Sequence, residues 1–260
     1  MSWWGKVIGG AFGFLTLGPL GALLGAALGH SLDSGFAQLG YAAPGDRETI
    51  QTAFFTAVFA VMGHIAKADG RVTQIEIQVA EALMERMRLN KDQRRTAVQL
   101  FTEGKKPDFP LESVLAQFRN VCLRQPSLLR MFVEILLDAA LVDGALSAAE
   151  RQILHRVCAS LGITPTEFAH LERMRTAGRW SGGASAPTAS TKTNPYAALG
   201  VDRKASNAEV KRAYRKLMSQ HHPDKLVSKG LPEEMMALAK DRVREIRSAY
   251  DEIKAERGFK

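Results

Sequence analysis

Two cysteines in 260 residues, and no Cys-x-x-Cys pair, exclude a zinc ribbon and a thioredoxin-type redox site. Cys122 and Cys158 each fall within an apolar helical pattern. Two buried thiols in a reducing compartment are expected there, with a disulfide left open. The chain also lacks a His-Glu-x-x-His pair, a Gly-rich phosphate loop and a nucleophile motif, so nothing points to catalysis by the chain itself. From Thr49 to Arg173 no run alternates in the manner of a strand, and the apolar spacing is helical throughout, which predicts an all-α protein. An apolar share of 46% with 24% charged residues rules out wholesale disorder.

Acidic charge is in short supply near the carboxy terminus. Residues 194–260 hold 15 Lys and Arg against 10 Asp and Glu, a large share of the chain's net +8. That concentration points to an acidic partner for the last quarter.

Charge is missing altogether from residues 7–29, a run of 23. A helix of that length reaches about 35 Å, enough to cross a hydrocarbon core of about 30 Å. Trp3 and Trp4 stand at one edge, where the headgroup zone favours amphipathic rings, and Pro19 is expected to kink the span. Gly5, Gly9 and Gly13 form one stripe at a spacing of four, and Gly21, Gly25 and Gly29 form another. Each stripe could let a second copy of the helix approach closely, giving a homodimer, or could reflect only the tolerance of membrane helices for glycine. A cleaved secretory signal and a glycine-rich buried segment are the competing readings. One lysine before the span, and Asp33, Asp46 and Arg47 after it, leave orientation undecided by charge. The expected order is a tip at 1–6, a transmembrane helix at 7–29 and a connector at 30–48.

Residues 66–87 and 140–161 repeat a pattern at an offset of 74: Asp69-Gly70 matches Asp143-Gly144, Thr73 matches Ser147, and Glu76 matches Glu150. This reads as an internal duplication of helix, turn and helix within a bundle at 49–173. The glycines suit left-handed helix ends, and Thr73 with Glu76 and Ser147 with Glu150 read as capping boxes. The functional alternative makes Asp69, Glu76, Asp143 and Glu150 weak metal candidates, although the EF-hand ligand pattern is missing. His64, His155 and His170 share no ligand spacing and read as ordinary helix residues. Residues 174–193 are Gly-, Ala-, Ser- and Thr-rich, as expected of a flexible linker that lets the last part move independently.

The last part, 194–260, opens with NPYAALGV, a short helix ended by Gly200. Ser206 and Glu209 then form a capping box for a second helix, on which Val210, Tyr214, Leu217 and His221 make an inward stripe. Lys211 with Arg215, and Arg212 with Lys216, place like charges four apart on the other face. Such pairs cost a helix a few tenths of a kcal/mol, a cost that a carboxylate-bearing partner would offset. His222 precedes Pro223 and must leave the helical region. A third helix is expected from Pro232-Glu233-Glu234 to about Ala255, making an antiparallel hairpin joined by a loop that carries His222, Pro223 and Asp224. His221 reads as packing or solvent-facing.

These residues resemble known families. The Asp-Gly turns and capping boxes of 49–173 are similar to the TerB-like domain, which implies an all-helical interaction bundle with metal binding suspected. NPYAALGV, EVKRAYRKLMSQHHPDK and IRSAYDEI resemble the J domain of the DnaJ family. That resemblance implies binding to a DnaK-type chaperone and stimulation of its ATP hydrolysis. It assigns the signal to His222, Pro223 and Asp224, docking to Lys211, Arg215 and Lys216 with Tyr214 in support, and a flanking role to Lys225. The full-length DnaJ pattern is not reproduced, since a Gly/Phe-rich region and zinc-binding cysteine repeats are missing. The order of parts is similar to a bacterial family of membrane-anchored J-domain co-chaperones. It implies no cofactor, client proteins near the inner membrane, an outward amino-terminal tip and cytoplasmic domains. A metal-binding or nucleic-acid-binding adaptor is the alternative; against nucleic acid, no aromatic residue interleaves the basic strip.

Overall fold

The computed structural model of the chain describes residues 18–23, 47–70, 74–141, 145–179 and 194–259. Its bundle is built around helix α1 (Arg47–Ala66), whose apolar residues run round every side, a pattern that demands burial on all faces. Phe54, Ala57, Val58, Phe59, Ala60 and Val61 are accordingly buried completely. Around it lie α2 (Gln74–Arg86), α3 (Lys91–Gly104), α4 (Leu111–Val121), α5 (Pro126–Ala140), α6 (Ala148–Leu161) and α7 (Pro165–Arg179). Where α1 crosses α3 the backbones touch. A Cβ on Gly63 would fall 2.0 Å from the Phe101 carbonyl oxygen, and one on Gly104 would fall 1.8 Å from that of Ala60. Phe54, Phe118 and Phe132 bring α1, α4 and α5 together, with ring centroids 4.5 to 6.0 Å apart. Such aromatic pairs add about 0.5–1.5 kcal/mol beyond their area.

The sequence-derived caps are present where they can be seen. Ser147 accepts from the Glu150 amide while Glu150 reaches back to the Ser147 amide, the reciprocal arrangement expected. Gly70 has φ +90°. The matching residues 71–73 and 142–144 lie outside the described residues, and so does the side chain of Glu76. Cys122 and Cys158 are free and buried, and burial pushes both thiols up to about 12.

The carboxy-terminal module, called the J module below after the resemblance of its sequence, consists of α8 (Pro195–Ala198), α9 (Asn207–His221), α10 (Pro223–Ser228), a 3-10 turn (Glu233–Met235) and α11 (Met236–Arg257). Tyr196, Leu199, Val210, Leu217, Ile246 and Ile253 form its core together with Met174 of α7. The Ser206–Glu209 capping box starts α9 as expected.

Three features differ from the sequence reading. First, α7 continues to Arg179, so 174–179 belongs to the bundle and not to a linker. Met174 is buried against the carboxy-terminal module and Arg175 is tied by ion pairs to α5, so this part of the helix is held at both sides. Second, the connection after α9 is mostly helical: only His222, at φ −59° and ψ 121°, separates α9 from α10, which Pro223 begins as its first residue, and residues 229–232 then lead to the 3-10 turn. Third, the J module does not stand apart. Leu226, Leu231, Met235, Leu238 and Ala239 are buried in one cluster with the bundle core.

Of the span expected at 7–29, only 18–23 is described. It is helical, Leu20 and Leu23 are buried with the bundle core, and the Leu20 amide donates to Gln117 Oε1 at 2.7 Å. Among the described residues one helix is long and apolar enough to cross a membrane, Thr49–Ala66 of α1, and it is the buried centre of the bundle.

Candidate functional site

The sequence-predicted site residues are gathered on the outer side of the J module. Arg212, Arg215 and Lys216 are exposed on α9, and Lys211 is half-buried with Nζ 5.3 Å from the ring centroid of Phe259. Tyr214 is half-buried, its ring stacked on Tyr250 at 4.0 Å with 17° between the planes. This stack fastens α9 to α11 and so supports the basic face. His222, Asp224 and Lys225 are exposed, and Pro223 is half-buried. Lys225 Nζ donates to Ser219 Oγ at 3.0 Å and ties the turn back to α9. Asp224 lies in the first turn of α10, and among the described residues no hydrogen bond or ion pair engages its carboxylate. An exposed acid beside cationic neighbours can accept a bidentate arginine from a partner, while the strip on α9 suits an acidic surface.

The inner side of the same module carries a group of residues that sequence reasoning did not connect. Glu134, in the middle of α5, is 1% exposed; His221 at the end of α9 is 2% exposed and Arg242 of α11 is 4% exposed. Arg175 Nη2 donates to Glu134 Oε2 at 3.0 Å, and Arg175 Nε lies 3.2 Å from Asp138 Oδ1. His221 Nε2 is 3.5 Å from Glu134 Oε1, and Arg242 Nε is 4.0 Å from Glu134 Oε2. Arg242 Nη1 donates to Glu245 Oε2 at 2.6 Å. Burial works against a charged Glu134, but His221 when protonated, Arg175 and Arg242 outweigh it and hold the carboxyl below its ordinary range. Burial pushes the His221 imidazole below its ordinary range; Glu134 opposes that, and Arg242 and Arg175 reinforce it. Neither ring nitrogen of His221 has a hydrogen-bond partner among the described residues. A lone acid within the apolar run FVEILL was the visible mark of this cluster in the sequence.

Further contacts join the two modules. Arg86 Nη2 of α2 meets Asp241 Oδ2 of α11 at 2.9 Å, Gln93 Nε2 donates to Glu234 Oε1 at 2.6 Å, and Lys229 Nζ donates to Ser127 Oγ at 3.2 Å. Two glycines with positive φ mark the closest approach. A Cβ on Gly200 would lie 2.4 Å from the ring of His170, and one on Gly230 would lie 2.7 Å from Ile50. Either position therefore needs glycine for backbone and space alike.

The remaining candidates are not brought together. Asp69 is exposed, Glu150 serves its helix cap, and Asp143 and the Glu76 side chain lie outside the described residues. Among the described residues, no three His, Cys, Asp or Glu gather as metal ligands would. Of the glycine stripes Gly21 is buried, and Gly5, Gly9, Gly13, Gly25 and Gly29 lie outside the described residues.

Comparison with known proteins finds three family models along the chain. They are the Co-chaperone DjlA transmembrane domain over residues 1–42, Tellurite resistance protein TerB over 55–173 and the DnaJ domain over 194–257. Co-chaperone protein DjlA of Yersinia pseudotuberculosis is 44% identical over 279 aligned residues, covering all of both chains. The protein of the same name from Photobacterium profundum is 44% identical over 277 residues, 99% of this chain and 100% of its own. That from Escherichia coli is 41% identical over 272 residues, again the full length of both. No solved structure matches.

Proposed function

Because the chain belongs to the DjlA family of membrane-anchored J-domain co-chaperones, we propose that it binds a DnaK-type chaperone and stimulates its ATP hydrolysis beside membrane-associated clients. His222, Pro223 and Asp224 deliver the signal. Lys211, Arg215 and Lys216 dock the partner, Tyr214 supports their helix, and Lys225 flanks the turn. The observation that carries this reading is the exposed Asp224 carboxylate, turned away from its own framework at the end of a basic helix. The chain performs no chemistry; it acts on the barrier within its partner. In single-turnover hydrolysis by a DnaK-type chaperone, the full chain in detergent micelles accelerates the reaction and Asp224→Asn abolishes the acceleration. Stimulation that survives this substitution refutes the mechanism.

The partner's need for ATP sets the topology. The J module shares the cytoplasm with the nucleotide, so a single span in the inner membrane leaves the amino-terminal tip outside. Reporter fusions at the two ends read this directly. The bundle selects clients, and the glycine stripes, apart from the buried Gly21, pair two spans so that two J modules work together. Gly25→Leu in a membrane-association assay is expected to weaken pairing, and unchanged association removes that stripe from consideration.

A further inference from the structure

The His-Pro-Asp turn lies between two buried anchors. His221 precedes it, held beside Glu134 at 3.5 Å, and Leu226 follows it, fully buried in the cluster that contains the bundle core. His221 rests on the bundle beside Glu134, and Leu226 lies in the cluster that joins the module's apolar residues to the bundle core. A carboxylate as deeply buried as Glu134 is costly unless cations surround it. The bundle contributes Arg175 to that surrounding and the J module contributes Arg242, with the His221 imidazole packed 3.5 Å from Glu134 Oε1. Separating the modules would strip Glu134 of Arg242 and His221 and break the cluster that Leu226, Leu231 and Met235 share with the bundle core. The outer side meanwhile stays open: Arg212, Arg215, Lys216, His222, Asp224 and Lys225 remain exposed in the docked arrangement.

We propose that the bundle is a working part of the co-chaperone's signal: Glu134 is a positioning residue that, through His221 and Arg242, seats the J module so that the His-Pro-Asp turn is held in one orientation, and the docked form is the form that engages the partner. The inference rests on the reading given under Proposed function. A turn clamped at both ends has lost much of its freedom before the partner arrives, so less is lost on binding. The clamp also fixes the direction of the signal relative to anything the bundle holds. Glu134 touches no partner and acts only through the residues beside it.

Two variants of the full chain test this in the single-turnover assay. Glu134→Gln keeps the shape and removes the charge. It is expected to raise the concentration giving half-maximal stimulation by about tenfold, or about 1.4 kcal/mol, while the rate at saturation stays near that of the unaltered chain. Glu134→Asp, which restores the charge, is expected to recover part of the loss. An unchanged titration for Glu134→Gln overturns the proposal. In the second variant, Arg86→Cys with Asp241→Cys is bridged by a short bis-maleimide across a contact whose side chains are 53% and 42% exposed. Cys122 and Cys158 do not compete, since both are buried with thiols pushed up to about 12. The bridged chain is expected to stimulate with an unchanged half-maximal concentration. Loss of stimulation on bridging overturns the proposal, because the docked form would then be the silent one. This arm decides alone if Glu134→Gln fails to fold. Persistence of stimulation in Asp224→Asn is a separate result and removes the underlying reading.

Discussion

His221 and His222 are consecutive in the chain and belong to opposite faces of the J module. His221 closes α9 and is buried against the bundle beside Glu134; His222 turns outward and, among the described residues, has no partner. Asp224 and Leu226 repeat the contrast two residues apart, one exposed and the other fully buried. The two faces follow different physics. The inner face is apolar area closed around a paired carboxylate, which resists disruption and tolerates little change. The outer face is solvated charge, weak in stability and rich in what a partner can recognise. Substitutions should therefore separate into those that loosen the module and those that silence it.

The largest difference is expected between Leu226 and Asp224. Leu226→Ala removes a fully buried side chain from the shared core and should cost about 2–5 kcal/mol in denaturant titration of the full chain. Asp224→Ala should stay within about 0.5 kcal/mol of the unaltered chain in the same titration while losing stimulation. Equal stability losses would erase the distinction between the faces. The histidines give a smaller contrast. His221→Ala should cost about 1–3 kcal/mol by leaving Glu134 short of a neighbour, whereas His222→Ala should leave stability unchanged and impair stimulation. The basic strip should yield less again. Arg215→Ala with Lys216→Ala is expected to raise the half-maximal concentration and to flatten its dependence on salt, at no more than about 1 kcal/mol per charge.

The smallest effect should come from pH. An exposed imidazole takes a proton near pH 6.5, and burial makes His221 take it lower. Between those two points the separated state binds more protons than the docked one, so the contribution is complete above pH 6.5 and is lost as pH falls. Glu134 opposes this shift while Arg242, Arg175 and Arg130 reinforce it. His64 and His170 are lowered by burial as well and carry the same sign. The melting temperature should fall between pH 7.5 and 5.5, and His221→Gln should reduce that fall. A fall of the same size in His221→Gln would assign it to the other two.

The outer face was legible from the sequence because its information is local. Capping boxes, the i, i+4 charges and a proline that stops a helix declare themselves within a few residues. Ser147, Ser206 and Gly70 behave as their spacing implied. The inner face was not legible, because it depends on which apolar stripe meets which. Leu226, Leu231 and Met235 carry no mark that assigns them to the bundle rather than to the hairpin's own interior. Arg175 fell at the edge of a Gly- and Ser-rich stretch and read as linker, although a helix carries it to Glu134. Glu134 is a charge in an apolar helix, but its partners lie 41, 87 and 108 residues further on, beyond the reach of any periodic pattern.

The apolar girth of α1 has a consequence during synthesis. The next long helix after the anchor, α1, is by length and composition also long and apolar enough to cross a bilayer. A second crossing there would put everything downstream on the opposite side of the bilayer from the one proposed above. Burial among the helices that wrap it is the alternative to that crossing, so closure of the bundle round α1 is a condition of the proposed topology.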